Sequence, residues 1–148
     1  MMVRDCWIFD VDGTLSDPSH RRHWVASKPR NWNAFNAGMI NDKPQRDVIE
    51  FMDIGRNMAL SIVISTGREE AYRDVTDRWF LNYGITYDTM YMRKAGDYRD
   101  DGIVKKEMLD QMRIDGYNPI LVFDDRDRVV KMWRENGIRC FQVQEGNF

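Results

Sequence analysis

Two aspartates one residue apart, Asp10 and Asp12, end an apolar run and are followed at once by Gly13 and Thr14. A second acidic pair, Asp124 and Asp125, ends another apolar run, and between the pairs lie Ser65-Thr66-Gly67-Arg68 and the adjacent lysines Lys105 and Lys106. Four carboxylates crowded into one crevice would repel one another unless a cation neutralised them. Every donor here is an oxygen, with no histidine or cysteine at these positions, so a hard divalent cation fits and magnesium is the common choice, whereas zinc is not expected. One of the two lysines and the Thr66 hydroxyl are then left to hold a phosphate.

These groups act together only if the fold delivers them to one place. Trp7-Ile8-Phe9 is a short apolar run broken at Gly13, the pattern of a strand buried on both faces in a parallel sheet covered by helices. In open sheets of that kind the ligand crevice lies outside the carboxyl ends of the strands, where these side chains fall. The pattern predicts strands over 6–9, 60–64, 87–92, 120–123 and 139–143, with helices over 44–58, 69–82, 103–114 and 126–135. Pro44 is expected in the first turn of its helix, with Val48, Ile49, Met52 and Gly55 facing inward, and residues 116–119 are expected to turn the chain. Ser65 to Arg68 would follow the second strand at a helix amino terminus, where backbone amides meet anions. Five strands with intervening helices make a doubly wound, five-stranded parallel α/β sheet. The segment 17–43, interrupted by Pro18 and Pro29 and with one short helix near 32–39, is too long for an ordinary strand-to-helix loop, so it is expected to cover the crevice as a small cap.

The 148 residues, 43% of them hydrophobic, fit one domain, 1–148, with a sizeable core. A net charge of -2 from 22 basic and 24 acidic residues argues against a protein that coats nucleic acid by overall charge. Cys6 and Cys140 each sit in an apolar strand-like run and are expected as buried thiols. No apolar run approaches the roughly 20 residues that span a bilayer and the amino terminus carries no signal-peptide pattern, so a soluble, cytoplasmic protein without a membrane partner is expected.

Asp10-Val11-Asp12-Gly13-Thr14, Thr66-Gly67-Arg68, Lys105 and Asp124-Asp125 resemble, in order, the four motifs of the haloacid dehalogenase (HAD) superfamily. The stretch from Arg93 to Lys105, Phe123-Asp124-Asp125-Arg126 with the following Val129-Val130-Lys131-Met132-Trp133-Arg134, and the ending Gly146-Asn147-Phe148 are similar to the 3'-phosphatase domain of bacteriophage polynucleotide kinase. The resemblance implies an aspartyl-phosphate mechanism. Asp10 would attack phosphorus, Asp12 would act as general acid and then base, and Thr66 with Lys105 would bind the phosphoryl oxygens. Magnesium would be held by Asp10, the Asp12 backbone carbonyl and Asp125, with Asp124 close by; the order of the last two is open. The same resemblance carries Gly67, Arg68, Arg21, Arg93 and Asp101 to the site as substrate contacts or supports. No GxxxxGK[ST] phosphate loop occurs, so no 5'-kinase activity is expected.

The substrate implied is a phosphorylated nucleic-acid 3' end. His20-Arg21-Arg22-His23-Trp24, Lys28, Arg30, Trp32 and Phe35 put basic and aromatic residues together in the cap, a composition able to grip phosphates and stack a base or simply to form a solvated loop. A phosphatase of free nucleotides or other small esters is the first alternative, and an inactive module that binds nucleic-acid ends is the second. The sequence leaves DNA against RNA and the oligomeric state open.

Overall fold

In the computed structural model, which describes residues 2–148, the chain forms seven strands: β1 (Arg4–Phe9), β2 (Ser16–Asp17), β3 (Lys43–Pro44), β4 (Ser61–Glu69), β5 (Thr89–Arg93), β6 (Tyr117–Asp124) and β7 (Cys140–Gln142). Its helices are α1 (His23–Ala26), α2 (Trp32–Ala37), α3 (Arg46–Asn57), α4 (Arg73–Asn82), α5 (Asp101–Ile114) and α6 (Asp127–Glu135). β1, which ends just before Asp10, is the middle of a five-stranded sheet of order β5-β4-β1-β6-β7, every pair parallel. The doubly wound α/β sheet expected from the sequence is therefore present.

Alternation along β1 explains the two layers. Cys6 and Ile8 join a core with Val104, Met108, Leu109 and Met112 of α5 and Val129, Val130 and Trp133 of α6. Trp7 and Phe9 point the other way, among Val48 and Met52 of α3, Trp79 and Phe80 of α4, and Phe123. The Phe9 and Phe123 rings stack 4.6 Å apart, locking β1 to β6 just where both strands deliver their aspartates. Both cysteines are free and buried, as expected. Among the described residues no helix is long and apolar enough to cross a membrane.

Several boundaries differ from the sequence pattern for identifiable reasons. Pro44 does not open a helix: it lies in β3, opposite Ser16, and α3 starts at Arg46. A two-residue ladder tolerates a residue without an N–H, and β2 with β3 ties off the base of the segment 17–43. The 116–119 turn is completed by Gly116 alone, at φ 95°, and Tyr117 already belongs to β6. Pro119 is absorbed where the β1–β6 register shifts, between Cys6 and Trp7. Most consequential for the site, β4 runs on through Ser65, Thr66, Gly67 and Arg68 to Glu69, with an irregular register between Thr66 and Glu69. A 3-10 turn over Glu70–Tyr72 then precedes α4, so no helix amino terminus directly follows this motif.

Candidate active site

The carboxyl ends of β1, β4 and β6 meet, and α5 supplies the cation between them. Asp10, only 6% exposed, is fixed by its N–H donating to the Phe123 carbonyl at 3.0 Å. The α5 helix begins at Asp101 behind an Asp100 cap whose side chain accepts from the Gly102 N–H at 2.8 Å. One turn later Lys105 projects inward, its Nζ 2.9 Å from Asp10 Oδ1 and 3.0 Å from Asp124 Oδ2. Its neighbour Lys106 faces out to Asp110 at 2.6 Å, which decides between the two lysines. Asp124 also accepts from the buried Trp133 indole at 3.2 Å and, through Oδ1, from the Asp125 N–H at 2.8 Å.

One lysine faces three acids. Asp10, Asp124 and Asp125 are all buried, and each offers an oxygen within 4.8 Å of the others. Asp125 Oδ2 is buried without a hydrogen-bond partner, a costly state for a carboxylate in the interior. Burial pushes the Asp10 carboxyl well above the usual carboxylate range, with Asp124 and Asp125 adding to the rise against the pull of Lys105. Burial and Asp124 raise Asp125 as well. Lys105 is raised too, since Asp10 and Asp124 outweigh its own desolvation. An orphaned buried oxygen among three hard donors is what a divalent cation would satisfy, so the donor set fits magnesium.

Asp12 has the opposite surroundings. Its carboxylate turns away from this trio into two guanidiniums: Arg21 at 2.6 Å, and Arg68 at 2.8 Å from Nη2 and 3.0 Å from Nε. Burial opposes its charge, but Arg68 and then Arg21 prevail and hold the carboxyl down at about 2. Both arginines are themselves gripped by the fully buried Asp42, which receives Arg21 Nε at 2.7 Å, Arg21 Nη2 at 2.8 Å and Arg68 Nη2 at 3.3 Å. Thr76 accepts from Arg68 Nη1 at 3.0 Å, and the Trp79 indole donates to the Asp42 carbonyl at 2.8 Å. Arg21 also lies over the Phe35 ring, 4.4 Å from its centroid.

The outer rim is a second network. Arg93 donates to the Gly67 carbonyl at 3.0 Å, to the Asp97 and Arg99 carbonyls, and to Asp101, which also accepts from Arg126 at 2.8 Å. Thr66 is fully buried within β4, its Oγ1 accepting from the Arg68 N–H at 3.2 Å. At Gly13, φ is 84° and a Cβ would overlap the Asp125 carboxylate, so this turn admits only glycine without displacing an acid of the trio.

The sequence profile of the polynucleotide kinase PNKP phosphatase domain matches residues 4–148. The chain belongs to the PNKP phosphatase-domain family. A chain in a Pnkp1/Rnl/Hen1 complex superposes with a TM-score of 0.83 at 33% identity, covering 99% of this chain and 47% of that one. A putative bifunctional polynucleotide kinase/RNA ligase of Autographa californica nuclear polyhedrosis virus is 28% identical over 128 residues, 85% of this chain and 17% of the viral protein. The chain thus spans less than half the length of these relatives. Class C acid phosphatase from Bacillus anthracis, with tungstate bound, shares the fold at a TM-score of 0.74 and 12% identity. The chain is a HAD-type phosphatase domain of the polynucleotide kinase/phosphatase-like class.

Within this PNKP-type domain the structure gathers Asp10, Lys105, Asp124 and Asp125 into one cluster and Asp12, Arg21 and Arg68 into the adjoining one. Arg93 and Asp101 lie on the rim, where they hold Gly67 and the 94–100 loop. Sequence reasoning missed Asp42, Thr76 and the roles of the two core tryptophans. Only Asp42 left a trace, as an acid beside the end of an otherwise acid-free stretch. Trp79 and Trp133 are core residues, as their types suggest, and their indole N–H groups also anchor Asp42 and Asp124.

Proposed function

We propose that this domain is a magnesium-dependent phosphomonoesterase that acts through an aspartyl-phosphate on Asp10 and removes 3'-phosphates from polynucleotide ends. The observation that carries this reading is the trio Asp10, Asp124 and Asp125, closed on one side by Lys105 and left with a buried oxygen unpartnered on the other. Magnesium held by Asp10, the Asp12 carbonyl and Asp125, with Asp124 beside them, would neutralise charge between a carboxylate nucleophile and a phosphate.

The residues supply the remaining steps. Asp10 Oδ forms a bond to phosphorus as the ester P–O bond breaks, and Asp12 gives its proton to the departing alkoxide. Water then attacks phosphorus, Asp12 takes a proton from it, and the acyl-phosphate bond breaks to release phosphate and regenerate Asp10. The guanidinium cage favours the Asp12 anion, the form needed for the second step. A phosphate dianion arriving beside it raises that carboxyl, which helps it carry a proton for the first step. Lys105 and Thr66 hold the non-bridging oxygens. Gly67, kept in place through Arg93 and Asp101, shapes the wall against which the phosphate rests.

Phosphate release from a short 3'-phosphorylated oligonucleotide, with and without magnesium, tests the reading against a 5'-phosphorylated oligonucleotide and free 3'- and 5'-nucleotides. Magnesium-dependent release from the 3'-oligonucleotide is the expected result. Faster release from the free nucleotides would keep the Asp10 chemistry and overturn the polynucleotide substrate.

A further inference from the structure

The segment between β2 and β3 carries a surface the proposed reaction does not use. Between α1 and α2 the chain doubles back, with the Asn31 N–H donating to the Trp24 carbonyl at 2.8 Å. The fold-back opens a groove of about 790 Å³ lined by His23, Trp24, Pro29, Arg30 and Trp32 among others. Trp24 is 42% and Trp32 54% exposed, whereas Trp79 and Trp133 are fully buried. Two indoles left in water on one groove forgo a substantial burial free energy, as happens where a surface awaits a ligand.

Charge limits what that ligand is. Residues 18–41 contain no aspartate or glutamate but include Arg21, Arg22, Lys28 and Arg30, in a chain whose net charge is -2. Arg21 meets the carboxylates of Asp12 and Asp42, while Arg22, Lys28 and Arg30 are exposed at the surface. The groove is also joined to the chemistry. Trp32 contacts Phe35 edge-on at 5.7 Å, and Phe35 carries the Arg21 guanidinium that holds Asp12. The Phe148 ring lies beneath both Arg22, which precedes the groove residue His23, at 5.6 Å, and Arg126, which follows Asp125, at 4.7 Å.

Resting on the polynucleotide 3'-end reading above, we propose that this groove binds the unpaired nucleotides next to the phosphorylated terminus. Bases stack on Trp24 and Trp32, and backbone phosphates meet Arg22, Lys28 and Arg30. Exposed aromatic faces interleaved with cations suit single strands, whose bases offer free π-faces; in a duplex those faces are already stacked. The groove thereby makes single-stranded ends the preferred substrate.

The test compares kcat/KM for 3'-phosphorylated oligonucleotides of increasing length with that for p-nitrophenyl phosphate, in the wild-type chain, in Trp24→Ala/Trp32→Ala and in Arg30→Glu. Folding of each variant is checked by thermal melting, and Trp24→Phe serves as the conservative control. For the wild type, kcat/KM should climb over the first few nucleotides. The double variant should lower the ratio of oligonucleotide to p-nitrophenyl phosphate efficiency about tenfold or more, through KM, and flatten the length dependence. Arg30→Glu should do the same more weakly, and Trp24→Phe should retain most of the effect. A steep length dependence that survives in both the double variant and Arg30→Glu would overturn the groove assignment, leave the 3'-end reading intact and assign the groove to a protein partner. A wild type with no preference for oligonucleotides over mononucleotides would overturn both.

Discussion

Asp10 and Asp12 stand one residue apart in opposite electrostatic surroundings, and most of what can be tested about the chemistry follows from that contrast. Asp10 is crowded by Asp124 and Asp125, so Asp10→Asn removes both the proposed nucleophile and a source of repulsion. It should abolish turnover while the melting temperature without divalent cation stays the same or rises, the trade expected where a site is held under strain; thermal melting beside a phosphate-release assay checks both. Asp42 works at one remove. Without its charge, Arg21 and Arg68 are left with Asp12 alone as their carboxylate, and loss of one partner from a buried ion pair costs about 3–5 kcal/mol. Asp42→Asn should therefore destabilise the fold in urea titrations and, in the folded fraction, slow esters with poor leaving groups more than an activated aryl phosphate. The pH dependence has two signs. The depressed Asp12 carboxyl contributes stability that is full above its unfolded value and lost as pH falls through about 2. Asp10 and Asp125, raised when folded, favour the folded state when protonated, and that contribution is lost as pH rises through their elevated values. A cation competes with those protons, so the rise in melting temperature caused by magnesium should be larger at pH 8 than at pH 5. An equal rise at both would separate the metal from these carboxylates.

Each element that places these groups is short, and its end is fixed by a specific contact. The turn after β1 is the tightest: Gly13→Ala puts a Cβ onto the Asp125 carboxylate at a left-handed φ. That exchange should cost more than about 1 kcal/mol in chemical denaturation and weaken magnesium binding measured by calorimetry. The cap of α5 is a milder case, where Asp100→Ala should cost about 1 kcal/mol and loosen the first turn that aims Lys105. The sheet strands were legible because an apolar run such as Trp7-Ile8-Phe9, ending in acids, has few other uses, and the motif residues at their ends followed. What stayed hidden depends on distant partners. Pro44 has the local character of a helix start, and only the facing Ser16 makes it a strand. Ser65 to Arg68 has the local character of a turn, yet the pairing of Arg68 with Asp12 and Asp42 draws the backbone onward as β4. Asp42 left little trace for the same reason, since its three side-chain partners, His20, Arg21 and Arg68, come from two separate segments.

Across the whole molecule, charge is segregated even though it nearly cancels. The acidic trio sits buried just past β1 and at the end of β6, while the segment between Pro18 and Asn41 carries cations and no acid. A net charge of -2 repels a polyanion at long range, so attraction to a nucleic-acid strand has to be local, from Arg22, Lys28 and Arg30 within a Debye length of about 8–10 Å. Local attraction of this kind appears as counterion release. Three phosphates neutralised on a single strand give a slope of about -2 in log affinity against log salt. Raising monovalent salt from about 50 to 200 mM should thus raise KM for a 3'-phosphorylated oligonucleotide on the order of tenfold. The KM for p-nitrophenyl phosphate, which reaches only the crevice, should change far less. The slope should shrink by about 0.7 for each cation removed, so Lys28→Ala and Arg30→Ala together bring it toward -0.7. Comparable salt slopes for the two substrates would show that Arg22, Lys28 and Arg30 do not touch the strand, and the charge segregation would then serve the packing of Arg21 against Asp12 and Asp42 alone.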